Sequence, residues 1–143
     1  MNAIQKTLLV GLMSISVASI NKAQAASDDE CAIYLCLPIG FAAGDCSGAL
    51  KAMKKRVSKF KPPLPSLSSC VVNITDTNGI TSNSGYAAKI GNGHRWVRGT
   101  RCERELRERG GYIHNPPGCT ATGYFAEVRD HNGLIGETYY FEI

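Results

Sequence analysis

The 143-residue chain holds no apolar run of the length that a membrane-crossing helix requires. Such a helix needs about 20 consecutive apolar residues. The most extended stretch, Thr7 to Ile20, falls short of that and stands near the N-terminus. Cys-x-x-Cys is also absent, which argues against a thioredoxin-type redox pair and against the common zinc spacings. His94, His114 and His131 form no His-x-x-x-His pair and none stands beside a carboxylate at ligand spacing. Gly91-Asn92-Gly93 lacks the strand-to-helix setting of a phosphate cradle and reads as a turn. There is no internal repeat. No metal, cofactor or catalytic constellation is therefore expected, and the protein reads as a non-enzyme.

What is present begins with a leader. One cation, Lys6, precedes the apolar stretch; Asn21 and Lys22 end it, and Ala23-Gln24-Ala25 supplies the small-x-small pattern of a signal-peptidase cut. Residues 1–25 are read as a cleaved signal peptide and 26–143 as a single mature domain. The competing reading, an uncleaved anchor helix, fits the short length and the flanks less well. No cysteine stands directly after the cut, so a lipid-modified start is not expected, nor is a transmembrane segment after cleavage. Setting the leader aside removes Lys6 and Lys22 but no acid, so the formal charge falls from +4 to about +2. That balance weakens the case for a nucleic-acid partner. The mature length suits one modest core.

All six cysteines, Cys31, Cys36, Cys46, Cys70, Cys102 and Cys119, lie in the mature part. An even number in a small exported chain reads as a disulfide framework in an oxidising compartment. Glu30 to Leu37 reads as a helix, in which Cys31 and Cys36 point about 140° apart and cannot bridge each other. The chain turns at Pro38-Ile39-Gly40 and Ala43-Gly44, and a second helix begins near Asp45 to Ser47. An antiparallel hairpin then sets Cys36 beside Cys46 and lets Cys31 meet Cys70, leaving Cys102 for Cys119.

The second helix carries an apolar stripe, Cys46, Leu50, Met53, Val57 and Phe60, and is stopped by Pro62-Pro63-Leu64-Pro65. Its other face holds Lys51, Lys54, Lys55, Arg56, Lys59 and Lys61 without an acid. A solvated outer face explains such a run; a docking face for an acidic partner, anionic lipid or nucleic acid is the functional reading. Lys51, Lys54, Lys55 and Lys59 are the candidate partner-docking residues.

Residues 71–143 read as loop-rich. Val71 to Thr75 looks like a strand, and Asn73-Ile74-Thr75 matches the glycosylation acceptor pattern. Polar and glycine residues then dominate through Gly93. Thr100-Arg101-Cys102-Glu103 fits a capping box, and the Arg101, Glu105, Arg109 and Arg104, Glu108 spacings fit intrahelical ion pairs, so a short third helix ending at Gly110-Gly111 is expected. A β-hairpin follows, Tyr124 to Arg129 and Leu134 to Phe141, turning at Asp130-His131-Asn132-Gly133. The fold expected is α+β: a mainly helical N-terminal half, a disulfide-stapled helical hairpin over 26–70, then the short helix and the C-terminal β-hairpin.

Cys31-Ala-Ile-Tyr-Leu-Cys36-Leu, Gly44-Asp45-Cys46, Ala49-Leu50-Lys51 and Leu67-Ser-Ser-Cys70 together resemble the TrbM/KikA/MpfK family of conjugal transfer proteins. The resemblance covers Cys31 to Cys70 and rests on the Cys-x4-Cys-x9-Cys spacing after a signal peptide. Ala32 and Pro38-Ile39 depart from the family pattern. The resemblance implies a periplasmic accessory of plasmid conjugation and type IV secretion, working with a protein partner in the mating-pair-formation apparatus, and it carries over no catalytic residue. Two other classes stay open on the residues alone: an exported disulfide-rich toxin or enzyme inhibitor, and a cell-wall-acting enzyme.

Overall fold

The computed structural model describes residues 25–70 and 79–143. Residues 1–24 of the signal peptide expected over 1–25, the strand expected at Val71 to Thr75 and the glycosylation match lie outside the described residues.

Helix α1 spans Asp28–Cys36. Ser27 caps it: its hydroxyl accepts from the Glu30 N–H while the Glu30 carboxylate accepts from the Ser27 N–H, so each satisfies a backbone donor of the first turn. Asp28, Asp29 and Glu30 place negative charge at the positive end of the helix dipole. A 3₁₀ turn over Leu37–Ile39 ends the helix, and left-handed Gly40 and Phe41 reverse the chain. A second 3₁₀ turn, Gly44–Cys46, leads into α2 over Ser47–Ser58.

Six strands follow or complete the fold: β1 (Thr81–Ile90), β2 (Arg95–Arg98), β3 (Glu103–Leu106), β4 (Tyr112–Asn115), β5 (Cys119–Asp130) and β6 (Gly133–Phe141). An antiparallel sheet of order β2-β1-β5-β6 forms the platform, and β3 pairs with β4 as a separate ribbon. The helical hairpin lies on one face of the platform. Ile33, Leu37, Ala49, Met53, Val57 and Leu64 meet Ala126, Val128 and Phe141 there, with Tyr139 and Ile135 at the margin. Phe41 packs edge-on against Tyr139, ring centroids 4.9 Å apart. Gly136, in β6, has φ +70 and lies against the Pro38 backbone, where a Cβ would collide with the Pro38 carbonyl. That contact seats the turn after α1 on the sheet.

Disulfides join Cys31 to Cys70, Cys36 to Cys46 and Cys102 to Cys119, and no cysteine is free. Three closed bridges in so small a chain are the pattern of an oxidising environment. No helix among the described residues is long and apolar enough to cross a membrane.

The chain is α+β, but four expectations are corrected. The N-terminal half is not mainly helical: among the described residues its α-helix is confined to the short α1 and α2, joined by 3₁₀ and other turns, and β1 is already under way at Thr81. The C-terminal part is not a loop-rich region with a lone hairpin; the β5–β6 hairpin is half of a four-stranded sheet. The polar stretch before Gly93 contains β1, whose buried positions are the small residues Ala87 and Ala88 and so give little hydrophobic signal. The third helix does not exist. Its expected caps and ion pairs are replaced by the β3–β4 ribbon, because Cys102 is tied on both sides: its sulfur bonds Cys119, and its N–H donates to Thr122 Oγ1 at 2.8 Å on β5. Gly110 and Gly111, both at φ +82, then make a hairpin turn instead of a helix cap. Arg101 and Arg104 lie over Tyr86 and Tyr112, at 3.9 and 4.1 Å from the ring centres.

Candidate functional site

The cationic face of α2 is built from its interior outward. Ala49, Met53 and Val57 are buried and fix the rotation of the helix. Lys51, Lys54, Lys55 and Lys59 consequently all face solvent. None of the four forms an ion pair among the described residues. The structure brings three of them together: Lys51, Lys55 and Lys59, spaced one turn apart, line a groove of about 390 Å³ with Lys61. Lys54 stands off the groove wall. The other side of the groove is the start of α1, including Asp29 and Glu30.

Arg56, on the same helix, is not part of the free cationic surface. It is mostly buried, and its Nη1 donates to Glu30 Oε1 at 2.9 Å. Its Nε donates to the Pro62 carbonyl at 2.9 Å and its Nη2 to the Leu64 carbonyl at 3.2 Å. The hydrogen bond from Arg56 holds the Glu30 carboxyl below its ordinary range, against a smaller upward push from burial. One arginine thereby ties α1, α2 and the proline segment, while its lysine neighbours keep their charge exposed.

Phe60 does not complete the apolar stripe. It is 99% exposed at the end of α2, because the helix stops at Ser58 and the chain turns left-handed at this residue. It borders a shallow groove shared with Pro62, Pro63, Tyr86 and Tyr124.

Sequence reasoning missed a polar cluster on the sheet face away from the helices. Glu127 is 1% exposed and is the one buried charged residue among those described. It accepts from Arg98 Nη1 and Thr138 Oγ1 at 2.8 Å, from Arg129 Nε at 2.9 Å and from Asn83 Nδ2 at 3.4 Å. Burial opposes its charge, but the hydrogen bonds of Thr138 and Arg129 and the positive charges of Arg129 and Arg98 outweigh it, and its carboxyl is held low. Beside it, Trp96 stacks on Tyr140, centroids 5.5 Å apart, across Gly123. A Cβ on Gly123 would lie 2.7 Å from the Trp96 ring. The alternation of β5 was the available signal: an acid flanked by Ala126 and Val128 points to the opposite face. Arg129 comes from β5 itself, and only the assembled sheet brings Asn83 of β1, Arg98 of β2 and Thr138 of β6 to it.

No protein-family model, curated protein or solved structure matches the chain.

The contacts of these groups brace the fold. Glu30 is kept charged chiefly by Arg56, and Glu127 by Thr138, Arg129 and Arg98, so each carboxylate ties together the elements its partners come from. Cys102, His114 and Cys119 bring their donor atoms within 4.8 Å of one another. Both sulfurs are consumed by their shared disulfide, and His114 Nδ1 lies 2.6 Å from the Cys119 carbonyl oxygen. In the oxidised chain that trio braces the base of the ribbon.

Proposed function

We propose that the protein is a non-enzymatic docking module of the periplasm, an accessory of plasmid conjugation and type IV secretion that helps to assemble or stabilise the mating-pair-formation apparatus. The observation carrying the docking part is the row Lys51, Lys55 and Lys59, with Lys54 and Lys61 beside it, all exposed along α2 and the turn that ends it, where the helix's one arginine is already neutralised. A cationic face that forms no ion pair among the described residues is a ready surface for an anionic partner. The conjugation part is supported by the resemblance of Cys31 to Cys70 to the TrbM/KikA/MpfK family. Two bridges, Cys31–Cys70 and Cys36–Cys46, clamp the helices that carry this face.

Two measurements test the reading. Donor cells with an in-frame deletion should lose conjugation frequency, and a complementing wild-type copy should restore it. A copy carrying Lys51, Lys54, Lys55 and Lys59 changed to Ser should accumulate normally and fail to restore transfer. Unchanged transfer after the deletion rejects the conjugation role. Full restoration by the four-serine copy rejects the docking face.

A further inference from the structure

Two phenylalanines adopt left-handed backbone, Phe41 at φ +60 and Phe60 at φ +58. A bulky residue there is a steric outlier, and glycine is its usual substitute. Phe41 has a reason to stay, since its ring is wedged against Tyr139 in the core. Phe60 has none in the described fold. It occupies the position after the helix cap, where its N–H reaches the Val57 carbonyl at 2.9 Å and the Lys61 N–H reaches the Arg56 carbonyl at 3.0 Å. That pair of bonds is the helix-ending motif in which glycine is favoured. Here the position carries a phenylalanine whose ring stands almost wholly in water. Local sterics and the hydrophobic effect both disfavour it.

The surroundings suggest what it meets. Lys59 and Lys61 flank Phe60 along the chain, and Lys55 and Lys51 extend the row one and two turns back from Lys59 along α2. From Ser47 to Lys61 there is no acid at all; Asp29, beside Gly48, lies at the α1 side of the groove.

We propose that this edge anchors the protein to an anionic phospholipid surface, with the Phe60 ring entering between headgroups and the lysines resting on their phosphates. The inference builds on the docking reading and names the partner. An aromatic tip beside a cationic face is the pattern of an interfacial membrane contact. Lysines are flexible, strongly hydrated point charges, and a row of them on one edge is attracted to an anionic lipid surface without needing fixed geometry. The one arginine of the helix is turned inward to Glu30.

The test is flotation of the purified, disulfide-intact protein with vesicles of phosphatidylcholine alone or mixed with phosphatidylglycerol. Binding should require phosphatidylglycerol and fall with added salt. Each Lys→Ser change should cost about five-fold in partitioning. Phe60→Gly should cost about ten-fold while raising the melting temperature, which separates lost binding from lost folding. Absence of binding to the mixed vesicles, or equal binding by wild type and Phe60→Gly, overturns the proposal. If vesicles are ignored but the four-serine variant still abolishes transfer, the docking face survives and its partner is an acidic protein.

Discussion

Arg56 Nη1 lies 2.9 Å from Glu30 Oε1, so the residue that closes the cap of α1 is also held by the last turns of α2. Because the same guanidinium serves the Pro62 and Leu64 carbonyls, three segments depend on one side chain. Arg56→Met should lower unfolding free energy by about 2–3 kcal/mol, since it strands a partly buried carboxylate and two carbonyls. Glu30→Gln should cost less, because it removes charge but keeps an acceptor. Urea denaturation of both variants measures the difference; equal, negligible losses would deny the clamp.

The pH dependence follows from the two depressed carboxyls. Glu30 and Glu127 ionise below the ordinary 4.5 in the folded chain, so the unfolded chain binds more protons in that range. Their stabilisation is fully present above that value and is lost as pH falls through the folded values. The urea midpoint should therefore hold steady towards neutral pH and decline in acid. In Glu127→Gln the acid decline should be shallower.

Glu127 itself should be hard to remove. Glu127→Ala leaves Arg98 and Arg129 facing each other without their shared carboxylate, and a loss of about 3 kcal/mol is expected. Arg98→Met should cost less, because its side chain is 45% exposed and Arg129 and Thr138 continue to satisfy the carboxylate. The ordering is the measurement that matters.

The Cys102–Cys119 bridge closes a separation of 17 residues, and its removal by paired serines should cost about 3 kcal/mol. Its effect should also be local. A two-stranded ribbon is marginal alone, so amide exchange should accelerate at Glu103–Leu106 and Tyr112–Asn115 while Met53 and Val57 stay protected. Uniform acceleration would contradict this division.

Phe60→Gly should stabilise the fold by about 1 kcal/mol, because it relieves a left-handed phenylalanine. Thermal unfolding measures it. A lower melting temperature would mean that the ring packs on Pro62 or Tyr86 more than its exposure indicates.

The two N-terminal helices and the β5–β6 hairpin were legible in the sequence because local signals and final contacts agree there. The spacing of Met53 and Val57 gives a helix face, and the proline run stops the helix. Cys31 and Cys36 lie on different sides of α1 and turn to different partners. The third helix misled for the opposite reason. Its capping and ion-pair pattern is a weak local preference, whereas the disulfide to Cys119, the Thr122 hydrogen bond and two left-handed glycines hold the segment extended. β1 stayed hidden because its core positions are alanines, which mark burial only once neighbours exist.

The site divides in the same way. Sequence determined the lysine row, since an acid-free basic face opposite an apolar stripe settles which residues reach solvent. Tertiary structure alone decided that Arg56 leaves that row for Glu30, because the partner is on another helix. It also decided that Phe60 leaves the core, because α2 stops at Ser58 and the left-handed cap leaves the ring in solvent. Glu127 acquires its role only when three other strands bring Asn83, Arg98 and Thr138 to it. Periodicity records which side of its own element a residue faces; what stands opposite depends on contacts far along the chain.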